Sequence, residues 1–181
     1  GEDGLPLRTL ALTAAGRLRR WMESGEIDPI GIGHGRTLAA TAQELPRFGA
    51  TDRRLVSLLG ELTRNYADTP HTVMHHLAEK TGAQAYVFPV PFFANSAEDR
   101  EVLLAQRGVR EVFEMARRAP LKLLGIGTVR ADTQLVQSGM ISPEEIAAIS
   151  AAGGVGEMLG HFFAPDGTIL ETPLSGRTLA T

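Results

Sequence analysis

The segment GIGHGRTLAA, residues 31–40, places three alternating glycines at the end of an apolar run and follows them with an arginine and a threonine. Glycines permit close backbone approach, and a strand that runs directly into a helix leaves free N–H groups at the positive end of the helix dipole. Thr37 adds a hydroxyl, and His34 and Arg36 add charge-assisted donors. The segment therefore predicts a loop, beginning at Gly33, that binds an anion or a sugar hydroxyl. A tight turn without a ligand is an equal alternative.

Two later segments repeat the arrangement of an apolar run that ends in glycine. LLGEL contains Gly60 and Glu61, and LLGIGT contains Gly127 and Thr128. Ligands of parallel α/β sheets bind outside the carboxyl ends of the strands, so these four residues are candidate ligand contacts. Glycines that only provide spacing between packed elements are the alternative.

A carboxylate follows the glycine cluster of GGVGEML. Glu157 is that carboxylate, and at this place it would accept hydrogen bonds from sugar hydroxyls. The alternative is an acidic residue in the first turn of a helix, where it would stabilise the positive end of the helix dipole. We therefore add Glu157 to the candidate ligand-binding residues.

The histidines and hydroxyl residues do not form a known catalytic motif. His71 and His75 have the spacing of a zinc-binding helix, but Thr72 stands where the metalloprotease motif needs a glutamate. Together with His76, they are predicted to be surface or half-buried helix residues. No serine lies in a G-x-S-x-G turn, and the glycines match neither G-x-G-x-x-G nor a phosphate-binding P-loop. We therefore expect no catalytic residue, no metal site and no cofactor.

These candidates must be positioned by strands that alternate with helices. Short apolar segments predict strands at 29–33, 53–60, 85–90 and 121–127. Helical spacing and end signals predict helices at 7–23, 36–45, 71–82, 98–106, 109–118 and 142–153. Between the second strand and the third helix lies a predicted loop through Asn65 and Asp68. The alternation predicts an α/β fold with a doubly wound, mostly parallel, Rossmann-like sheet.

Two local signals refine this prediction. The first helix carries an apolar stripe of Leu7, Leu10, Ala11, Ala14, Leu18 and Trp21. Ser142, Pro143 and Glu145 together form the start signal of the last predicted helix. After that helix, HFFAPDGTIL, residues 161–170, predicts a hairpin whose Phe162-Phe163 pair is exposed and available for self-association.

The composition is that of an ordinary globular chain. Its 181 residues are 43% hydrophobic and 22% charged, with a formal net charge of -3, which predicts one domain and gives no electrostatic reason for direct nucleic-acid binding. The lack of cysteine excludes disulfides and thiolate chemistry. No signal-peptide pattern or membrane-length apolar run is present, so we expect a cytoplasmic domain without membrane contact.

Three segments taken together resemble one family, the effector-binding domains of SorC/DeoR-like bacterial transcriptional regulators, which respond to sugars. They are IGIGHGRTLAA, LLGIG and SGMISPEEIAAISAAGGVGEMLGHFFAPDGTIL, within about residues 25–175. The resemblance implies a fold similar to that of sugar-phosphate isomerases and CoA-transferases. It also implies a sugar or sugar-phosphate effector, a homodimer or homotetramer, and DNA binding only through a separate N-terminal helix-turn-helix.

The resemblance also assigns residues. Those that match the family's ligand loop are Gly33, His34, Gly35, Arg36 and Thr37. Several phosphosugar-binding members have Gly-Gly-Thr-Thr there, so His34 and Arg36 are departures from that pattern. The family's acidic position in the glycine turn falls on Glu157. Some members form a Schiff base through a lysine near the third strand, where this chain reads FPVPFF. Because the only lysines are Lys80 and Lys122, we expect non-covalent binding.

Two departures concern the extent of the chain. No DNA-binding helices precede residue 1, and the glycine-glycine-lysine segment with two further strands that usually follows is absent after SGRTLAT. The resemblance therefore predicts that residues 1–181 are an isolated effector-binding domain that is incomplete at its C-terminal end.

An enzyme on the same kind of sheet is the alternative function. Isomerisation of a sugar phosphate needs a general base at the reacting carbons and a second acid or base for the ring oxygen. The candidates are Asp132, Glu157 and His161, but they form no paired constellation beside the glycine loop. We therefore expect a ligand-sensing domain rather than a sugar-phosphate isomerase.

Overall fold

The computed structural model describes residues 7–61 and 73–181. The predicted loop through Asn65 and Asp68, and the candidate His71, lie outside these residues. The described residues form two compact units. The first unit is drawn from Gly1–Ser57, Pro70–Val87 and Met115–Gly125, and the second unit from Leu58–Thr69, Phe88–Glu114 and Ile126–Thr181. The expectation of a single, C-terminally incomplete domain stays a prediction.

A parallel sheet forms the centre of the first unit. Its strands are β1 (Ile30–Ile32), β2 (Arg54–Ser57), β3 (Gln84–Tyr86) and β4 (Leu121–Leu123). They lie in the order β3-β2-β1-β4, and every neighbouring pair is parallel. The register places Gly31 between Val56 and Lys122. The predicted strands and the α/β class are therefore confirmed.

Seven α-helices occur within residues 7–61 and 73–181. They are α1 (Leu7–Ser24), α2 (Arg36–Glu44), α3 (Val73–Thr81), α4 (Ala97–Ala105), α5 (Arg107–Arg118), α6 (Gln134–Gln137) and α7 (Pro143–Ala151). The six predicted helices are all present, and α6 is a single further turn that was not predicted. None of the described helices combines the length and the apolar character that a bilayer crossing requires.

The core of the first unit buries one face of α1. The buried residues of this helix are Ala11, Ala15, Leu18 and Met22. The predicted stripe was therefore partly wrong, because Leu7 and Leu10 are 46% and 39% exposed. Ala15 and Met22 are buried, one position beyond the predicted Ala14 and Trp21, because the face of α1 that packs against α2 is turned slightly from the predicted one. Trp21, on the edge of the buried face, is half-buried against the core.

The second unit contains an antiparallel sheet. Its strands β5 (Gly156–Met158), β6 (His161–Phe163) and β7 (Ile169–Leu170) lie in that order. The predicted hairpin is confirmed as β6 and β7, and in its turn the Asp166 carboxylate accepts from the Thr168 N–H at 3.0 Å. Strand β5 was not predicted. Glu157 lies at its centre, so the alternative that placed this carboxylate in a helical first turn was wrong.

The two aromatic residues of the hairpin face opposite ways. Phe162 is 1% exposed, and Phe163 is half-buried. Neighbouring residues of a strand alternate between the two faces of a sheet, so only one of them can lie in the core of this unit. The expectation of an exposed Phe162-Phe163 pair was therefore wrong for Phe162, which serves packing within the chain.

The predicted start of α7 is formed by hydrogen bonds in both directions. The Ser142 Oγ accepts from the Glu145 N–H at 3.1 Å, and the Glu145 carboxylate accepts from the Ser142 N–H at 2.7 Å. Pro143 occupies the first turn, where the missing N–H costs no helical hydrogen bond. These contacts satisfy two backbone donors that the helix itself leaves without acceptors.

Replacing Ser142 with alanine is expected to lower the free energy of unfolding by about 1 kcal/mol, because the Glu145 N–H loses its acceptor. Ser150→Ala is the matched control, since Ser150 is exposed near the other end of the same helix, and its expected effect is within about 0.5 kcal/mol. Urea denaturation of both variants measures the difference. Equal losses would show that the capping box does not stabilise α7.

Candidate functional site

The glycine loop, residues 33–37, connects β1 to α2 in the first unit. The Gly33 N–H donates to the carbonyl of Leu123 at 2.8 Å, so the pairing of β1 with β4 continues into the loop. A Cβ at Gly33 would lie only 3.0 Å from the Cβ of Leu124. Gly35 has a φ of 122°, in the region that favours glycine. Close packing at Gly33 and the backbone conformation at Gly35 thus explain why both residues are glycine.

The start of α2 presents backbone donors. Gly35 occupies the N-cap position, and no side chain caps the helix there. The first helical hydrogen bond runs from the Ala39 N–H to the Gly35 carbonyl at 2.9 Å. The three N–H groups before Ala39 therefore have no acceptor within the helix, and the positive end of the helix dipole lies at the same place. The half-buried Thr37 and the exposed Arg36 add a hydroxyl and a cation.

His34, the second residue of the glycine loop, is partly removed from solvent. Its side chain is half-buried, and its Nδ1 is buried without a hydrogen-bond partner among the described residues. Burial lowers the pKa of His34, because desolvation disfavours the imidazolium. Burial thus favours the neutral imidazole, and a charge-assisted contact from His34 to a ligand stays a prediction. Arg36 supplies the positive charge of the glycine loop.

Gly60 and Glu61 lie in the second unit and pair with two neighbouring backbone segments. The Gly60 N–H donates to the carbonyl of Leu179 at 3.0 Å, and the Glu61 N–H donates to that of Val90 at 2.8 Å. A Cβ at Gly60 would collide with the carbonyl oxygens of Val90 and Pro91. The glycine is therefore explained by close backbone approach. The Glu61 side chain is exposed, and a ligand contact of either residue stays a prediction.

Gly127 and Glu157, far apart in sequence, are brought together in the second unit. The Gly127 N–H donates to the Glu157 carbonyl at 2.7 Å, and the Glu157 N–H donates back at 3.0 Å. The Glu157 Oε1 also accepts from the Gly160 N–H at 2.6 Å. Burial raises the pKa of the Glu157 carboxyl, and the hydrogen bond from Gly160 partly opposes that rise. The neighbouring Thr128 is exposed.

One protein-family model covers the whole chain. Residues 1–181 match the family model described as "Putative sugar-binding domain". The chain belongs to the sugar-binding domain family of SorC/DeoR-type transcriptional regulators. The resemblance inferred from the three sequence segments is thereby confirmed.

Named regulators of this family are similar in sequence. The chain is 62% identical to the erythritol catabolism regulatory protein EryD of Brucella abortus over 180 residues, which are 99% of this chain and 57% of that protein. It is 30% identical to the transcriptional regulator LsrR of Klebsiella pneumoniae over 171 residues, 92% of this chain and 50% of that protein. The chain thus spans about half the length of the curated relatives that it matches.

Solved structures of the family share the fold. A DeoR family transcriptional regulator from Listeria monocytogenes superposes with a TM-score of 0.84 at 20% identity, over 99% of this chain and 71% of that chain. The full-length sorbitol operon regulator SorC from Klebsiella pneumoniae gives a TM-score of 0.81 at 20% identity, over 99% of this chain and 59% of that chain. The architecture of the sugar-binding family is therefore the architecture of this chain.

Sequence reasoning identified most of these positions but missed one hydrogen-bond donor. Gly160, which donates to Glu157, was not a candidate. The signal was the Leu-Gly pair between two short apolar segments, because Leu159 and Gly160 both adopt positive φ, 52° and 78°, in a two-residue hairpin turn. Within residues 7–61 and 73–181, no group of three or more histidine or carboxylate side chains could hold a metal ion.

Proposed function

We propose that this chain is the effector-binding and oligomerising domain of a sugar-responsive bacterial transcriptional regulator. The observation that carries this proposal is the 62% identity to EryD across nearly the whole chain. The regulator binds DNA through a separate helix-turn-helix, acts in the cytoplasm, and forms a homodimer or homotetramer. The domain itself binds its effector without converting it.

The proposed effector is erythritol or a phosphate ester of erythritol. The support is the similarity to EryD, which is named as an erythritol catabolism regulatory protein. The glycine loop supplies matching chemistry, since free N–H groups and the Thr37 hydroxyl donate to hydroxyl or phosphate oxygens. The half-buried His34, whose pKa is lowered by burial, and the cationic Arg36 are compatible with both ligands.

Non-covalent binding is part of the proposal. Lys80 lies in the last turn of α3 and donates to the Gln43 carbonyl. Lys122 lies on β4, and burial and the neighbouring Arg117 lower its pKa. Its neighbours Leu121 and Leu123 pack against the core of the first unit, so Lys122 points to the other face of the sheet. Neither amine belongs to the glycine loop.

The isomerase alternative receives no support from the second unit. Glu157 lies opposite Phe162 in the β5–β6 pair, and His161 lies opposite Met158. Glu157 and His161 therefore face opposite sides of the sheet and do not form an acid–base pair. Asp132 is exposed and pairs with Arg130 at 3.3 Å. EryD and LsrR, which are similar in sequence, are named as regulators rather than as enzymes.

Thermal denaturation with a ligand panel tests the proposal. Erythritol or erythritol 4-phosphate is expected to raise the midpoint, whereas glycerol and sorbitol at the same concentration are not. A ligand at a hundred times its Kd stabilises the native state by about 2.7 kcal/mol. NMR of the recovered ligand is expected to show it unchanged, and borohydride treatment to add no mass to the protein. A panel in which no polyol and no phosphate ester stabilises the chain would contradict the proposed function.

A further inference from the structure

The backbone contact between Gly127 and Glu157 determines where the Glu157 side chain lies relative to Gly127. The two residues exchange both backbone hydrogen bonds, at 2.7 and 3.0 Å. Residues paired in this way in an antiparallel ladder lie directly opposite each other and carry their side chains on the same face. The Glu157 side chain therefore lies next to the position that a side chain at residue 127 would occupy.

That place is filled by the Glu157 carboxylate. A Cβ added to Gly127 would collide with the Oε2 of Glu157. Gly127 is not among the glycines with positive φ, so its backbone conformation does not require glycine. The missing side chain provides space for a carboxylate oxygen, and this space is the physical reason for a glycine at position 127.

The other carboxylate oxygen is held by a rigid turn. The Glu157 Oε1 accepts from the Gly160 N–H at 2.6 Å. A Cβ at Gly160 would lie 2.8 Å from the ring of Phe92 and 2.9 Å from the methyl group of Thr178, so the turn is packed closely against the core of the second unit. The N–H that anchors Oε1 is thus fixed by packing, and Oε2 occupies the space above Gly127.

We propose that Gly127 is a positioning residue, which holds Glu157 so that its Oε2 accepts a hydrogen bond from a hydroxyl group of a polyhydroxylated ligand. Among the described residues, no donor bonds to Oε2. The half-buried carboxylate consequently has one protein hydrogen bond where it can accept several, and burial raises its pKa. A ligand hydroxyl supplies the missing donor. The proposal rests on the proposed function, and it assigns Gly127 a role through Glu157 instead of a direct ligand contact.

Gly127→Ala separates positioning from folding. The added methyl group meets the free end of a flexible side chain rather than backbone, so the carboxylate moves and the fold is retained. Gly156→Ala is the matched control, because its added Cβ would meet nothing closer than the Gly127 carbonyl oxygen at 3.8 Å. It lies on the same strand, next to Glu157, and its side chain would point to the opposite face.

Two measurements on wild type, Gly127→Ala and Gly156→Ala test the proposal. The carboxyl carbon of Glu157, followed by NMR, is expected to titrate above the ordinary glutamate range in wild type and in Gly156→Ala, and closer to that range in Gly127→Ala. Calorimetry with erythritol or erythritol 4-phosphate, whichever stabilises the wild type, is expected to show at least about tenfold weaker binding by Gly127→Ala alone. The thermal midpoints of the two unliganded variants are expected to agree.

A failure of the proposed function can be distinguished from a failure of the role proposed for Gly127. If neither probe binds the wild type, the proposed function fails, and the carboxyl titration still decides whether Gly127 positions Glu157. An unchanged titration in Gly127→Ala, or unchanged affinity with a shifted titration, would overturn the proposal.

Discussion

Replacing Arg36 with alanine is expected to weaken the binding of erythritol 4-phosphate at least about tenfold, equivalent to about 1.4 kcal/mol, and to leave the binding of erythritol within about twofold. Arg36 is the first residue of α2, is exposed, and provides a positive charge in the glycine loop. A guanidinium that pairs with a phosphate contributes more than a neutral hydrogen bond does.

Arg20→Ala is the charge-matched control, since Arg20 is an exposed residue of α1 and its loss changes the net charge equally. Calorimetry at two salt concentrations separates a direct contact from long-range attraction, because salt screens the latter more strongly. Equal weakening by Arg36→Ala and Arg20→Ala would show that Arg36 does not contact the ligand.

Replacing Thr37 tests whether an uncharged side chain of the glycine loop contacts the ligand. Thr37→Val keeps the shape of a half-buried side chain and removes its hydroxyl, and it is expected to weaken both ligands by about two- to tenfold, the range of a single hydrogen bond. If neither Arg36→Ala nor Thr37→Val alters the affinity for a ligand that stabilises the wild type, then the glycine loop is only a turn between β1 and α2.

Phe162→Ala is expected to lower the free energy of unfolding by about 3–5 kcal/mol, because it removes a buried aromatic ring and leaves a cavity. Phe162 is 1% exposed and lies opposite Glu157 on one side and Leu170 on the other. Phe163→Ala, the neighbouring half-buried residue, is the matched control, and its expected loss is smaller. Urea denaturation measures both.

The same two variants distinguish packing from self-association. Sedimentation is expected to show the same oligomeric state for Phe162→Ala as for wild type under conditions where both are folded. A Phe162→Ala variant with unchanged stability and a lower oligomeric state would contradict the burial of this ring within one chain. It would support the earlier expectation of an aromatic contact between copies.

The candidate site was predictable only in part. The glycine loop could be predicted, because a strand, three glycines and a helix start are consecutive in the sequence and the chemistry of a helix N-terminus follows from local structure. Glu157 could be predicted as a carboxylate beside glycines. The space provided by Gly127 could not, since it depends on a backbone pairing between segments about thirty residues apart. The hydrogen bond from Gly160 is local, but its only sequence signal was the Leu159-Gly160 pair.

The sequence by itself determined the elements whose signals are local. Helix periodicity, the capping box at Ser142, the Pro165-Asp166-Gly167 turn and the four apolar strands of the parallel sheet are all encoded within a few neighbouring residues. The family resemblance followed from the same kind of information, because it rests on the order of short segments.

Only the tertiary structure decided the rest. Strand β5 consists of Gly156, Glu157 and Met158, a sequence without alternation, and it is a strand because β6 provides its hydrogen-bond partners. The burial of Phe162 rather than Phe163 depends on which face of β6 packs into the second unit. Glycines are equally common in turns and at close contacts, so only the distant atoms that meet Gly60 and Gly127 show that both serve close approach.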